Sequence, residues 1–268
     1  MEFEILAFHL EKIILYFVKN SSNTETMKRL LLISNSTNAG EPYLGWPGQY
    51  ITSFLEGTGV KNILFVPYAG VNLASESIEK SYDVYEQRVR SVFAELGYGI
   101  YSIHREKYPV KAVENAEAIA VGGGNTFHLV YMLHKLGLVP VIRRRVPEGM
   151  HFMGWSAGAN VSCPTLRTTN DMPVIQPASF DTFNLVPFQI NPHYLDANPE
   201  GHGGETRQQR IEEFLAVNRD VTVVGLREAT LLQVESDQIE LKGSRPMRIF
   251  RYGQEPEEIN AGLVSAHL

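Results

Sequence analysis

Five short apolar runs alternate with amphipathic segments in the first 155 residues, and this alternation restricts the fold more than any other feature of the chain. The runs span residues 29–33, 63–66, 99–103, 118–121 and 152–155. They are nearly unbroken in apolar character, as in strands buried on both faces; a half-exposed strand would alternate. Between them, 50–55, 110–116, 126–136 and 139–145 read as helices. A longer helix carries Tyr82, Tyr85, Val89, Val92, Phe93 and Leu96 on one stripe and stops at Gly97. Strands and helices in this order predict an α/β fold with a mostly parallel sheet covered on both faces. After a helix at 205–217, the runs 222–226, 231–234, 238–241 and 247–252 follow closely, punctuated by Gly243 and Gly253. They predict a small antiparallel C-terminal extension at the sheet edge.

The composition suits such a domain: 268 residues, 44% hydrophobic and 20% charged, are ample for a sizeable core. A net charge of -6 argues against nucleic acid or an anionic membrane as partner. The single cysteine, Cys163, excludes an intrachain disulfide and fits a reducing compartment. Residues 1–26 differ from the rest. Phe3, Leu6, Leu10, Ile13, Ile14 and Phe17 recur at helical spacing, but Glu2, Glu4, Glu11 and Lys12 interrupt them. The segment is too charged and too short for a signal peptide or a membrane span. It reads as an extension outside the fold, leaving 27–268 as one domain.

The fifth run ends in Gly154-Trp155-Ser156-Ala157-Gly158, which fits G-x-S-x-G. This pattern describes a sharp strand-to-helix turn with a serine at its apex. In an open parallel sheet, ligands bind at the carboxyl ends of strands, so Ser156 stands where chemistry is expected. The fourth run ends in Gly122-Gly123-Gly124-Asn125-Thr126, a turn whose exposed N–H groups suit an oxyanion. Neither G-x-G-x-x-G nor G-x-x-x-x-G-K-[ST] is present, so nucleotide binding has little support.

A serine nucleophile needs a base. His9 and His267 lie in tails, and His128 and His134 lie on a helix, where a surface or interface role is expected. His151 precedes the fifth run, at the wrong end of its strand. His104, His193 and His202 remain, and His193 is preferred because Pro192 stiffens its approach. For the acid that orients the base, Asp171 and Glu228 both qualify, the latter just past the run 222–226. No H-E-x-x-H occurs and one cysteine cannot build a thiolate site, so no metal or other cofactor is expected. An α/β-hydrolase proper would order its triad serine, acid, histidine, which would leave Glu228 without a role.

Six segments occur together in one order: 30–37 (LLLISNST), 122–127 (GGGNTF), 154–160 (GWSAGAN), 168–173 (TTNDMP), 190–193 (INPH) and 204–207 (GETR). This ensemble strongly resembles the S51 family of serine peptidases, the α-aspartyl dipeptidases. The likeness runs from about Met27 to near the C-terminus. It implies a flavodoxin-like sheet related to class I glutamine amidotransferases, with serine at the elbow where those enzymes carry cysteine. It also implies cytoplasmic, cofactor-free hydrolysis of small dipeptides with an N-terminal aspartate. A monomer or a homodimer is expected. The family's nucleophile falls on Ser156 and its base on His193. Its acid falls on Glu228 or Asp171, with Glu228 preferred and Asp171 tying down the loop after the elbow. The oxyanion is expected on Gly123, Gly124 and Ala157. The aspartate side chain is expected on Arg207, with Arg167 a weaker choice and Asn125 nearby. Two rival readings are a cyanophycinase-like hydrolase of β-aspartyl-arginine and a non-catalytic binding protein on the same scaffold.

Overall fold

The structure, a computed structural model, describes residues 28–198, 200–201 and 203–268. The extension expected at 1–26 and His202 therefore lie outside the described residues. Five strands, β1 (Arg29–Ile33), β2 (Asn62–Val66), β3 (Gly99–Ser102), β4 (Ala118–Val121) and β5 (His151–Trp155), carry the five apolar runs. The helices between them are α1 (Gly48–Leu55), α2 (Ile78–Glu95), α3 (Pro109–Asn115), α4 (Thr126–Lys135) and α5 (Leu138–Arg145). Then follow α6 (Ala157–Asn160), β6 (Gln189–Tyr194), α7 (Arg207–Val217) and β7 (Val223–Arg227). The chain closes with β8 (Thr230–Glu235), β9 (Gln238–Gly243), β10 (Met247–Phe250), β11 (Glu257–Ile259) and β12 (Gly262–Leu263).

The main sheet has the order β12-β9-β8-β1-β5-β4-β2-β3. Strands β1 to β5 are parallel, and β8, β9 and β12 add to it antiparallel beyond β1. The unbroken apolar runs now have their cause. Leu30, Leu32, Leu64, Val66, Ile119, Val121 and Phe152 face one layer, packed on α4 and α5. Leu31, Ile33, Ile63, Phe65, Ala118, Ala120, Met153 and Trp155 face the other, packed on α1 and α2. Burying each large apolar side chain contributes about 1.5–3 kcal/mol, so both faces must be apolar for the central strands to stay dry. The register sets Val121 opposite Gly154, so the turns that leave β4 and β5 begin side by side.

The expected C-terminal extension is split. The runs 231–234 and 238–241 join the main sheet, but 222–226 and 247–252 leave it for a second sheet of order β11-β10-β7-β6. That sheet is mixed: β6 and β7 run parallel, while β10 and β11 are antiparallel to their neighbours. The cause is the two-residue link Glu228-Ala229, where Ala229 at φ 61° sends the chain from one sheet to the other. Strand β6 is not legible as a strand because Pro192 interrupts it. Proline has no N–H to give a ladder, and it is tolerated here because β6 is an edge strand with an irregular register at Pro192. Helix α7 closes the β6–β7 crossover and packs Ile211 and Leu215 against Tyr194, Val223 and Phe250. Among the described residues no helix is long and apolar enough to cross a membrane.

Candidate active site

Ser156 follows β5 with φ 55° and ψ -114°, a left-handed backbone rare for a residue with a side chain. The turn is held by close contact on both sides. A Cβ on Gly154 would stand 2.3 Å from the Gly158 carbonyl oxygen, and one on Gly158 would stand 2.0 Å from that of Val121. The Ser156 N–H donates to the Ile33 carbonyl at 3.0 Å, fixing the apex to β1.

The Ser156 hydroxyl lies 2.9 Å from His193 Nε2, and His193 Nδ1 lies 2.8 Å from Glu228 Oε1. A carboxylate only accepts, so Nδ1 carries the ring proton and Nε2 is left as the acceptor for the serine O–H. His193 has φ 52° and sits on β6, while Glu228 occupies the link after β7. Ser34, fully buried at the end of β1, joins the two sheets here: its hydroxyl accepts the His193 N–H at 3.0 Å and donates to the Leu226 carbonyl at 2.7 Å. Its neighbour Asn35 accepts the Ala229 N–H at 2.9 Å and so fixes the link that carries Glu228.

Asp171 is bonded elsewhere. Its Oδ2 accepts from the Thr126 N–H at 2.7 Å, the Thr126 hydroxyl at 2.5 Å and the Thr169 hydroxyl at 3.0 Å. It staples the loop after the elbow to the start of α4. Asn170 donates to the Pro192 carbonyl at 2.7 Å and ties the same loop to β6. Asn125 is the N-cap of α4: its Oδ1 accepts the His128 N–H, and its Nδ2 donates to the Met172 carbonyl at 2.9 Å.

A cleft of about 340 Å³ opens over this group, lined among others by Gly124, Ser156, Ala157, Asp171, His193 and Arg207. Among the described residues the N–H groups of Gly123, Gly124 and Ala157 have no hydrogen-bond partner. Gly123 packs directly on the serine, since a Cβ there would stand 2.8 Å from Ser156 Cβ. Arg207, the first residue of α7, makes no hydrogen bond or ion pair among the described residues. Burial, then the charge of Arg210, pushes its guanidinium below the usual arginine value, and Asp171 opposes them. Arg167 lines an adjoining cleft of about 170 Å³ that shares Asp171 and Arg207 with the first. Its guanidinium donates to Asn218 Oδ1 at 2.8 Å and stacks 5.5 Å from the Phe214 ring.

Other residues are placed away from this cleft. His128 is buried, with its Nδ1 bonded to the Tyr68 carbonyl at 2.8 Å; that carbonyl satisfies the ring inside the fold, contrary to the surface role expected of it. His151 lies at the amino end of β5 beside Arg29. Cys163 is fully buried, and burial pushes its thiol up to about 12. Asp83, Glu86 and His104 have ligand atoms within 4.8 Å of one another, the spacing of a metal site. Arg90 and Arg105 already bond Glu86, and Arg105 bonds Asp83, so cations of the chain meet this acidic group. Ser34, Asn35 and Asn170 escaped the sequence reading. The polar 34–37 segment at the carboxyl end of the first run was the signal that could have found the first two.

A serine on a strained strand-to-helix elbow, hydrogen-bonded to histidine and through it to glutamate above a parallel sheet, defines an α/β serine hydrolase. Residues 30–242 match the Peptidase family S51 profile. A protein named Peptidase E from Nostoc sp. is 49% identical over 231 residues, covering 86% of this chain and 92% of its own. Another named Peptidase E, from Salmonella typhimurium, is 44% identical over 233 residues, covering 87% of this chain and 98% of its own. The chain belongs to peptidase family S51. Two solved structures share the fold. A peptidase from an acI-B1 Actinobacterium has a TM-score of 0.63 at 20% identity, over 88% of this chain and 95% of its own. A putative Peptidase E protein from Listeria monocytogenes EGD-e has a TM-score of 0.58 at 21% identity, over 81% and 99%.

Proposed function

We propose that this peptidase is a serine dipeptidase that hydrolyses Asp-Xaa dipeptides, with Ser156 as nucleophile, His193 as general base and Glu228 as the acid that orients it. The observation that carries the reading is the hydrogen-bonded run from Ser156 Oγ through His193 to Glu228, beside a cleft holding the guanidinium of Arg207, which has no partner among the described residues. The relatives named Peptidase E, at 44–49% identity, support the substrate class.

In the acylation step His193 Nε2 takes the Ser156 proton as Oγ attacks the carbonyl carbon of the substrate aspartate. The oxygen becomes an oxyanion held by N–H groups of Ala157 and of the Gly123-Gly124 turn; one such donor contributes about 3 kcal/mol to the transition state. His193 then returns the proton to the leaving amine, and the second amino acid departs. Water, deprotonated by His193, attacks the acyl-enzyme, and His193 passes that proton to Ser156 Oγ as the ester bond breaks and aspartate leaves. Arg207 pairs with the aspartate side chain, because a guanidinium matches a carboxylate with two parallel hydrogen bonds. Residues 27–268 carry this activity as one domain, in the cytoplasm, without need of residues 1–26.

The test is release of free aspartate from Asp-Leu, set against Glu-Leu, Ala-Leu and N-acetyl-Asp-Leu, by wild type and Ser156→Ala. Cleavage of Asp-Leu alone, abolished in the variant, is the expected result. A folded wild-type protein that leaves Asp-Leu intact overturns the reading, and cleavage of β-aspartyl-arginine in its place would identify the cyanophycinase-like alternative.

A further inference from the structure

Tyr85 lies on α2, on the far side of the glycine turn from the cleft, and its hydroxyl makes three contacts. It lies 3.0 Å from the Gly123 carbonyl oxygen, 3.0 Å from the indole Nε1 of Trp155 and 3.3 Å from the Tyr43 hydroxyl. Chemistry fixes the direction of each. A carbonyl only accepts and an indole N–H only donates, so Tyr85 spends its one proton on Gly123 and receives one from Trp155. Its second lone pair is then filled by the Tyr43 O–H. The hydroxyl is saturated, and two donors feed one bond that ends on the Gly123 carbonyl. Residues on either side of Ser156 in space, the glycine turn and Trp155, thus meet at a single atom.

The consequence lies across the peptide plane. In a trans peptide the carbonyl of Gly123 and the N–H of Gly124 point in opposite directions. The carbonyl is held toward α2, so the Gly124 N–H is turned away from α2, and Gly124 lines the cleft with Ser156. A peptide bond between two glycines is the kind least restrained by its own side chains, so the chain around it must supply the restraint. The contacts are close enough to do so. A Cβ on Gly122 would stand 2.6 Å from the Tyr85 hydroxyl oxygen, and one on Gly124, at φ +132°, would stand 2.2 Å from the Ala69 carbonyl oxygen. Donors feeding Tyr85 also polarise the peptide bond and strengthen the N–H as a donor.

We propose that Tyr85 is a positioning residue, whose hydroxyl locks the peptide bond joining Gly123 to Gly124 with the Gly124 N–H facing the oxygen that turns negative when Ser156 attacks. This rests on the reading of Ser156 as nucleophile given above. The test is Tyr85→Phe, which removes the hydroxyl and keeps the ring. The variant is expected to lose about ten- to a hundredfold in kcat on Asp-Leu while KM stays within about twofold, since the bond acts on the transition state. Labelling of Ser156 by a fluorophosphonate, which displaces fluoride and forms a tetrahedral adduct, should slow by a similar factor, and the affinity for free aspartate should not change. A folded Tyr85→Phe protein with wild-type kcat and wild-type labelling overturns the proposal. If wild type labels but spares Asp-Leu, the substrate reading fails and the labelling rates alone decide on Tyr85. A wild type that neither labels nor cleaves overturns both readings. Should Tyr85→Phe not fold, Tyr43→Phe takes its place: a smaller fall in kcat at constant KM supports the proposal, and an unchanged kcat overturns it.

Discussion

Two carboxylates stand near the serine–histidine pair, and their hydrogen bonds separate their roles. Glu228 accepts from His193 Nδ1 at 2.8 Å, whereas Asp171 accepts from Thr126 and Thr169. Glu228→Gln should keep the shape of the contact but present an N–H to the ring or favour the wrong tautomer. It should lower kcat by about a hundredfold or more, with the thermal midpoint little changed. Asp171→Ala should do the reverse: it removes the acceptor for up to three donors and should cost about 1–3 kcal/mol of stability, with a smaller effect on kcat. Rates and melting curves of the pair distinguish the two roles, and equal losses in both assays would refute the division. Arg207→Lys tests the binding side. It keeps the charge and loses the fork, which should lower kcat/KM for Asp-Leu by about ten- to a hundredfold, the worth of a hydrogen bond between charged groups. Serine and histidine were legible in the sequence because each carries a local mark, the flanking glycines and the adjacent proline. For the acid, the residues alone left Asp171 and Glu228 both open, since the partner of His193 lies 35 positions away and both candidates sit on loops; the preference for Glu228 came from the resemblance.

At the scale of elements, the elbow is a packing problem solved by glycine. The carbonyl of Val121 on β4 occupies the space where a Gly158 side chain would be, and the Gly158 carbonyl occupies that of Gly154. Both obstacles are backbone, one at the end of β4 and the other in α6, so neither can swing aside. Gly158→Ala should therefore cost about 1–3 kcal/mol by overpacking and shift the Ser156 apex out of reach of His193. A urea midpoint equal to wild type would show that the contact between β4 and α6 is slack. The parallel core was readable because strands buried on two faces leave an unmistakable apolar record. Strand β6 was not, because the proline that gives His193 its approach also erases the strand pattern. The split of the C-terminal strands between two sheets turns on φ at Ala229, and no composition signal marks a left-handed alanine.

At the scale of the whole molecule, the site is a seam. Ser156 belongs to the main sheet, and His193 and Glu228 belong to the second sheet and its exit, so the hydrogen-bonded run that joins the three requires the two sheets to stay in register. Ser34 is one stitch. Just behind the seam Arg227, with its side chain 8% exposed, pairs with Asp196 at 2.5 Å and with Glu258 at 2.8 Å. Hydrogen bonds from Arg227 hold the Asp196 carboxyl below its ordinary 3.8. Burial pushes Glu258 up, but hydrogen bonds from Arg227 and Arg248 outweigh it and leave it below its ordinary 4.5. Carboxyls depressed in the folded state bind fewer protons there than in the unfolded chain. Their contribution is therefore complete above the ordinary values and is lost as pH falls through the lower folded ones. Both carboxylates are about half exposed, so solvent screening keeps the effect modest. The urea midpoint should stay level between about pH 7 and pH 5 and fall below about pH 4. In an Asp196→Asn, Glu258→Gln double variant it should start lower and fall less over the same acid range. The second sheet, held by these pairs, should loosen first, carrying His193 and Glu228 away from Ser156 while the main sheet persists. Parallel pH profiles for wild type and double variant would show that the ion cluster does not hold the second sheet.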